Sequence, residues 1–240
     1  MFRMTISTSA EGHHNDFERS CRHPKNLSLV GLSVRLDPLN VDTHSVDLFK
    51  ANLSKDNWKY LPYGPFDTLE SYQNWMRPYC SSDDPVFLAI TRLNDNKAVG
   101  VASYLDIDIQ NASIEVGHLN FSPLLQRSKE ATEAMYLMMR WAFDNGYRRY
   151  AWRCNASNIP SRKAAQRLGL SYEGIFRQAG IVKGENRDTA WFAAIDKEWP
   201  SLDRCFRSYL SKENFDATGK PIKSLSAMTS PLLYKIDESL

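Results

Sequence analysis

The sequence predicts an α/β domain of the α+β kind, a mixed, mostly antiparallel central sheet flanked by helices, and three observations carry that expectation. The stretch from Phe121 to Gly174 reads as strand end, polar loop, helix, strand, Asn/Ser turn and second helix. Before it lie segments of period two separated by short polar turns, and after it comes another pair of β-rich segments around Lys183-Gly184-Glu185-Asn186. Helical and strand periods alternating in this way place helices against one sheet rather than in a bundle.

Residues 1 to 30 are polar, include His13-His14 and show no period, so they are expected to form a mobile leader. Ser33 to Leu39 alternates and ends near Pro38, which predicts a first strand, and Asp42 or Thr43 then caps a helix to about Leu53. The aromatic loop from Asn57 to Phe66 follows, and its Trp58, Tyr60 and Tyr63 suit either a pocket wall or plain core packing. Asp67-Thr68-Leu69-Glu70 has the form of a capping box opening a second helix to about Tyr79. Val86 to Arg92 and Ala98 to Leu105 form a hairpin about Asn94-Asp95-Asn96-Lys97, and Ser113 to Phe121 is a further strand. In strict alternation that strand sets Glu115, Gly117 and Leu119 on one face and Val116, His118 and Asn120 on the other. Trp199 to Leu210 is helical, within a C-terminal segment (201–240) read as a helix and a surface tail.

Composition narrows the function. With 240 residues, 42% of them hydrophobic, the chain suits one large domain with extensions. A net charge of +2 is too small for a nucleic-acid footprint, yet Gln126 to Arg177 holds ten Lys/Arg against four Asp/Glu, a bias that suits a polyanionic ligand. The four cysteines are widely spaced, which argues against both a zinc site and a disulfide framework. There is no apolar run long enough to span a bilayer and no apolar signal core, so a cytoplasmic protein without membrane partners is expected, as monomer or homodimer. No Gly-x-Gly-x-x-Gly or P-loop pattern occurs.

The loop before Ala131 delivers a strand to a helix N-terminus, where unpartnered N–H groups and the positive end of the helix dipole favour an anion. Asn158 and Ser161 sit at the start of the second helix of this unit, where both residue types are preferred caps. At Ala131-Thr132-Glu133-Ala134, Asn145-Gly146-Tyr147-Arg148-Arg149, Asn158 with Ser161, and Leu168-Gly169 with Glu173-Gly174, the chain resembles the GNAT superfamily of N-acetyltransferases, in particular its RimJ/RimL-like branch. The likeness extends weakly from about Val34 to Pro200, with the acetyltransferase domain expected over 31–200.

The resemblance implies acetyl-CoA as co-substrate and no metal. Gln126, Arg127, Ser128, Lys129, Glu130 and Ala131 would form the pyrophosphate loop, with Lys129 where the family's middle glycine stands. Asn158 would bind the pantetheine amides and Ser161 the thiol. The tyrosine that many relatives use as proton donor corresponds to Ala165, which leaves Ser161 in that role. Arg177-Gln178-Ala179 matches the branch, but Gly180 replaces the glutamate expected next, so Glu115 and His118 become the candidate bases, with Glu173 and Asp188 further away. The implied reaction is direct attack of an amine, from a peptide or a small molecule, on the thioester; a catalytically silent acyl-CoA-binding or interaction module is the alternative.

Overall fold

The structure is a computed structural model, and it describes residues 20–240. Eight strands form one sheet in the order β1-β2-β3-β4-β5-β6-β8-β7. They are β1 (Leu29–Val30), β2 (Val34–Pro38), β3 (Val86–Arg92), β4 (Ala98–Asp108), β5 (Ser113–Phe121), β6 (Arg149–Asn155), β7 (Ser171–Val182) and β8 (Glu185–Ile195). All neighbours are antiparallel except β5 and β6, which are joined by a crossover through helix α3 (Lys129–Asp144).

Two apolar cores lie on the two faces of the sheet. On one, α1 (Val41–Ala51) and α2 (Leu69–Met76) cover Phe87, Ala89 and Val101 with Leu48, Tyr72 and Met76. On the other, α3, α4 (Ile159–Arg167) and α5 (Trp199–Leu210) cover Ile114, Val116, Tyr150, Trp152 and Phe192. The alternation of β3 sends successive side chains to opposite cores, whereas β5 and β6 turn one face to the α3/α4 core and set Glu115 and Arg153 on the other, in the cleft.

Local chemistry explains the element boundaries. Asn40, rather than Asp42 or Thr43, caps α1, its side chain accepting from Thr43 N at 2.9 Å. The capping box of α2 is Thr68 with Ser71, one residue beyond the expected Glu70, and α2 stops at Met76 ahead of Pro78, continuing only as a short 3-10 turn. Helix α3 ends on Asn145, followed by Gly146 at φ +91°, as expected of a glycine C-terminal cap. Lys183 and Gly184 both have positive φ, the geometry that matches a tight hairpin to the right-handed twist of its strands, and here it closes β7 on β8.

Three expectations change. His13 and His14 lie outside the described residues, but residues 20–30, expected to be part of a mobile leader, are anchored: Cys21 is buried, and Tyr147 Oη donates to Arg22 O at 3.2 Å. Beyond them, Glu133 on α3 accepts from Leu32 N at 2.6 Å and Ser33 N at 2.8 Å. The C-terminal segment, expected to be a surface tail, buries Leu225, Thr229 and Asp237. It forms helix α6 (Leu225–Thr229) and then runs along the start of β7, where Tyr172 N donates to Lys235 O at 2.9 Å. The buried Thr229 and Asp237 find their partners within the protein, Thr229 Oγ1 donating to Arg167 O at 3.0 Å and Asp237 accepting from Arg162 Nε at 2.8 Å, which composition alone could not signal. Finally, β5 does not alternate to its end: Val101 faces Asn120 while Ser103 faces Gly117, so one extra residue bulges out between them, and His118 has φ +50°.

Candidate active site

The β5–β6 pair is the key to the site. Its parallel register runs from Ser113↔Arg149 to Val116↔Trp152 and stops, although β5 continues to Phe121 and β6 to Asn155. The bulge at His118 turns β5 away at that level. Past it the two strands splay, and a cleft of about 530 Å³ opens through the sheet. Its walls include Glu115, Gly117 and His118 from β5, Trp152 and Cys154 from β6, Asn158 and Ser161 at α4, and Arg187 and Trp191 from β8.

On the α3/α4 side, Asn158 Oδ1 accepts from Ser161 N at 3.2 Å, so it caps α4, while the Ser161 hydroxyl accepts from the Trp152 indole N–H at 3.1 Å. The Ser161 hydroxyl keeps its own proton to donate, and the Cys154 sulfur in the same wall is within its reach, so a sulfur is the partner this position suits. Ala165 is fully buried in the core and has no polar group to offer.

Gln126 through Ala131 come together at the turn into α3. Ser128 is the N-cap, accepting from Ala131 N at 3.0 Å, while the first-turn N–H groups of Lys129 and Glu130 precede any intrahelical acceptor. The Gln126 carboxamide ties the loop down, donating to Phe121 O at 2.7 Å and Asn57 Oδ1 at 3.1 Å. The left-handed residue is Arg127, at φ +60°, whereas Lys129 is helical; the missing middle glycine is therefore no obstacle to the turn. The Lys129 ammonium sits 4.2 Å from the centre of the Phe215 ring, turned towards the C-terminal segment.

On the α1/α2 side, Glu115 is 5% exposed and forms an ion pair with Arg153, which also pairs with Asp106 and stacks on Trp191 at 4.8 Å. Burial raises the Glu115 carboxyl to about 7 against the opposing pull of Arg153. Burial also lowers His118, to about 4, helped by the charges of Arg187 and Arg153, so its ring is neutral near pH 7. His118 Nδ1 lies 3.1 Å from the Tyr63 hydroxyl, and its ring packs between Tyr63 and Phe87.

The aromatic loop divides between the two roles open to it. Trp58 is core, its indole donating to Asn52 O at 3.0 Å, and Tyr60 is wall, its hydroxyl donating to Ser157 O at 3.2 Å across the cleft. Glu173 is held by Arg149 through contacts of 2.7 and 2.6 Å, and Asp188 accepts from Gln178 N at 2.7 Å; neither lines the cleft. Arg153, Arg187 and Trp191 escaped sequence reasoning because only the sheet order, which sets β6 between β5 and β8, brings residues this far apart in sequence to the cleft beside Glu115.

A strand splay beside a helix N-terminus, with a hydroxyl at its edge, fits a long thin ligand whose anionic end rests on the first turn of α3. The GNAT acetyltransferase domain model matches residues 33–171, more than half of the chain, and the protein belongs to that family. A GCN5-related N-acetyltransferase from Brucella melitensis is 39% identical in sequence and superposes with a TM-score of 0.86 over 88% of this chain and 98% of its own. A probable GNAT-family acetyltransferase from Chromobacterium violaceum is 35% identical, with a TM-score of 0.73 over 82% of this chain and 100% of its own. The uncharacterized N-acetyltransferase YnaD of Bacillus subtilis is 27% identical over 143 residues, 59% of this chain and 81% of that protein. The protein is thus an acetyl-CoA-dependent N-acetyltransferase, moving an acetyl group to an amine. No group of three or more metal-ligating side chains occurs among the described residues.

Proposed function

We propose that the enzyme works in the manner of the RimJ/RimL-like branch, acetylating the primary amine of a peptide or a small molecule, with Ser161 as proton donor and Glu115 as base. The observation that carries this reading is the splay past Val116 and Trp152, with Ser161 at one edge and Glu115 at the other. When bound, acetyl-CoA supplies the activated acetyl group. Gln126 to Ala131 hold the pyrophosphate through backbone N–H groups, and Asn158 holds the pantetheine arm. Ser161, already accepting from Trp152, donates its own proton towards the departing thiolate.

On the opposite face, a carboxyl near 7 is matched to removing a proton at neutral pH, while His118 near 4 is a weak base. His118 serves better as part of the aromatic wall. The cations Arg153 and Arg187 beside the cleft disfavour a protonated amine and so help it to reach the uncharged form that attacks. Release of thiol from acetyl-CoA against a panel of amines tests the reading. Turnover that persists undiminished in both Ser161→Ala and Glu115→Gln would remove these two residues from the chemistry.

A further inference from the structure

Arg187 stands in the cleft without a hydrogen-bond or ion-pair partner among the described residues. Its Nε is buried and unsatisfied, as is the indole N–H of Trp191 on the same strand. Glu115 and Asp106, the acidic groups nearby, are already engaged by Arg153. The Arg187 Nε is out of water without an acceptor, and Glu115, the carboxylate that feels its charge, is already tied to Arg153, so an anion entering the cleft would meet an unused donor.

The register says why it is unpaired. Arg187 lies directly across from Gly180 in the β7–β8 ladder, so side chains at the two positions share a face. Gly180 is where the branch pattern would place a glutamate, and a Cβ added there meets nothing within 4 Å. The glycine leaves both open space and a guanidinium Nε with no acceptor across the ladder.

The register also says which ligand it faces. Arg187, Thr189 and Trp191 alternate onto one face of β8; Trp191 packs on Arg153, and Arg153 pairs with Glu115. Trp152, the partner of Ser161, points to the other face, where α3 and α4 lie. The guanidinium is therefore on the acceptor side of the sheet, away from the phosphate loop.

Building on the acetyltransferase reading above, we propose that the acceptor is a primary amine that also carries an oxyanion, a carboxylate or a phosphate, and that Arg187 binds it. The Nε edge of a guanidinium presents two parallel N–H groups that match such an anion. The Trp191 indole is a second donor on the same wall.

The test compares matched amines differing only in the anion: an α-amino acid and its amide, a dipeptide with an N-terminal aspartate and one with asparagine, and phosphoethanolamine and ethanolamine. The ratio of kcat/KM within each pair is the readout. At least one pair should favour the anionic member by about tenfold or more, as charge-assisted pairing out of water requires, and which pair does so distinguishes carboxylate from phosphate and free amino acid from peptide. Arg187→Gln should bring that ratio towards one, and Arg187→Lys should leave an intermediate value. Gly180→Glu, which supplies an internal counterion in open space, should abolish the preference independently.

Ratios near one in the wild type, or ratios indifferent to all three substitutions, overturn the proposal, as does a loss of CoA affinity in Arg187→Gln that parallels the loss of preference. Failure of the acetyltransferase reading looks different: CoA gives no melting shift and no amine gives thiol release. The same pairs titrated calorimetrically into the protein with CoA present read the preference as Kd ratios, so the anion site is tested even then.

Discussion

Ser161 and Glu115 divide the chemistry between two environments. The Ser161 hydroxyl accepts from an indole donor at 3.1 Å and keeps its own proton for a sulfur acceptor at the cleft. A contribution made as charge develops acts on the transition state more than on binding, so Ser161→Ala should lower kcat by about a hundredfold with little change in the KM for acetyl-CoA. Steady-state rates across pH 6 to 9 check this. Glu115, held near 7 by burial, should give kcat/KM an ascending limb centred near that pH. Glu115→Gln should remove the limb, leaving a slow rate that climbs as the amine deprotonates unaided; a limb that survives would assign it to another group.

At the level of the element, β5 carries two titratable groups shifted in opposite directions. Glu115 binds its proton more tightly folded than unfolded, so its contribution to stability is full below about 4.5 and lost as pH rises through about 7. His118 binds its proton less tightly when folded; its contribution is present above 6.5 and lost as pH falls through about 4. The two slopes oppose each other between these limits. Urea titrations of Glu115→Gln should therefore show stability rising with pH from 4 to 6.5 more steeply than in the wild type, whereas His118→Asn should show it falling as pH rises.

Helix α4 offers a second test at this scale. Arg162, 5% exposed, pairs with Asp237, also 5% exposed, and donates to Ala156 O at 2.9 Å, so the C-terminal segment braces the turn that presents Asn158 and Ser161. Asp237→Ala leaves a buried guanidinium without its partner and should cost about 3 kcal/mol or more. Chemical denaturation measures the loss, and a raised KM for acetyl-CoA should accompany it. A variant as stable as the wild type would show that the brace contributes nothing.

For the whole molecule, acetyl-CoA bound as proposed would add contacts between elements that also meet at the rim of the cleft, where Tyr60 reaches Ser157 and Lys183 Nζ donates to Trp58 O at 2.8 Å. A ligand that binds only the folded form stabilises by mass action, about 2.7 kcal/mol at a hundredfold excess over Kd. For a domain of this size that corresponds to a rise in melting temperature on the order of 5 °C or more, readable by scanning calorimetry with millimolar CoA. No shift would contradict the phosphate site at Gln126 to Ala131.

Much of this was legible in the chain because it is local. Caps, turn glycines and hydrophobic period act within a few residues, and they predicted α3, α4, the hairpins and the loop ahead of Ala131. Asn158 and Ser161 were legible for the same reason, since three residues of spacing at a helix start determine their relation. The bulge at His118, the pairing of Glu115 with Arg153, the isolation of Arg187 opposite Gly180 and the burial of Asp237 against Arg162 were not. Each depends on which strand lies beside which, and on how far a low-dielectric neighbourhood shifts a charge. Such quantities arise from contacts between residues distant in sequence, so only the assembled sheet and its two cores could decide them.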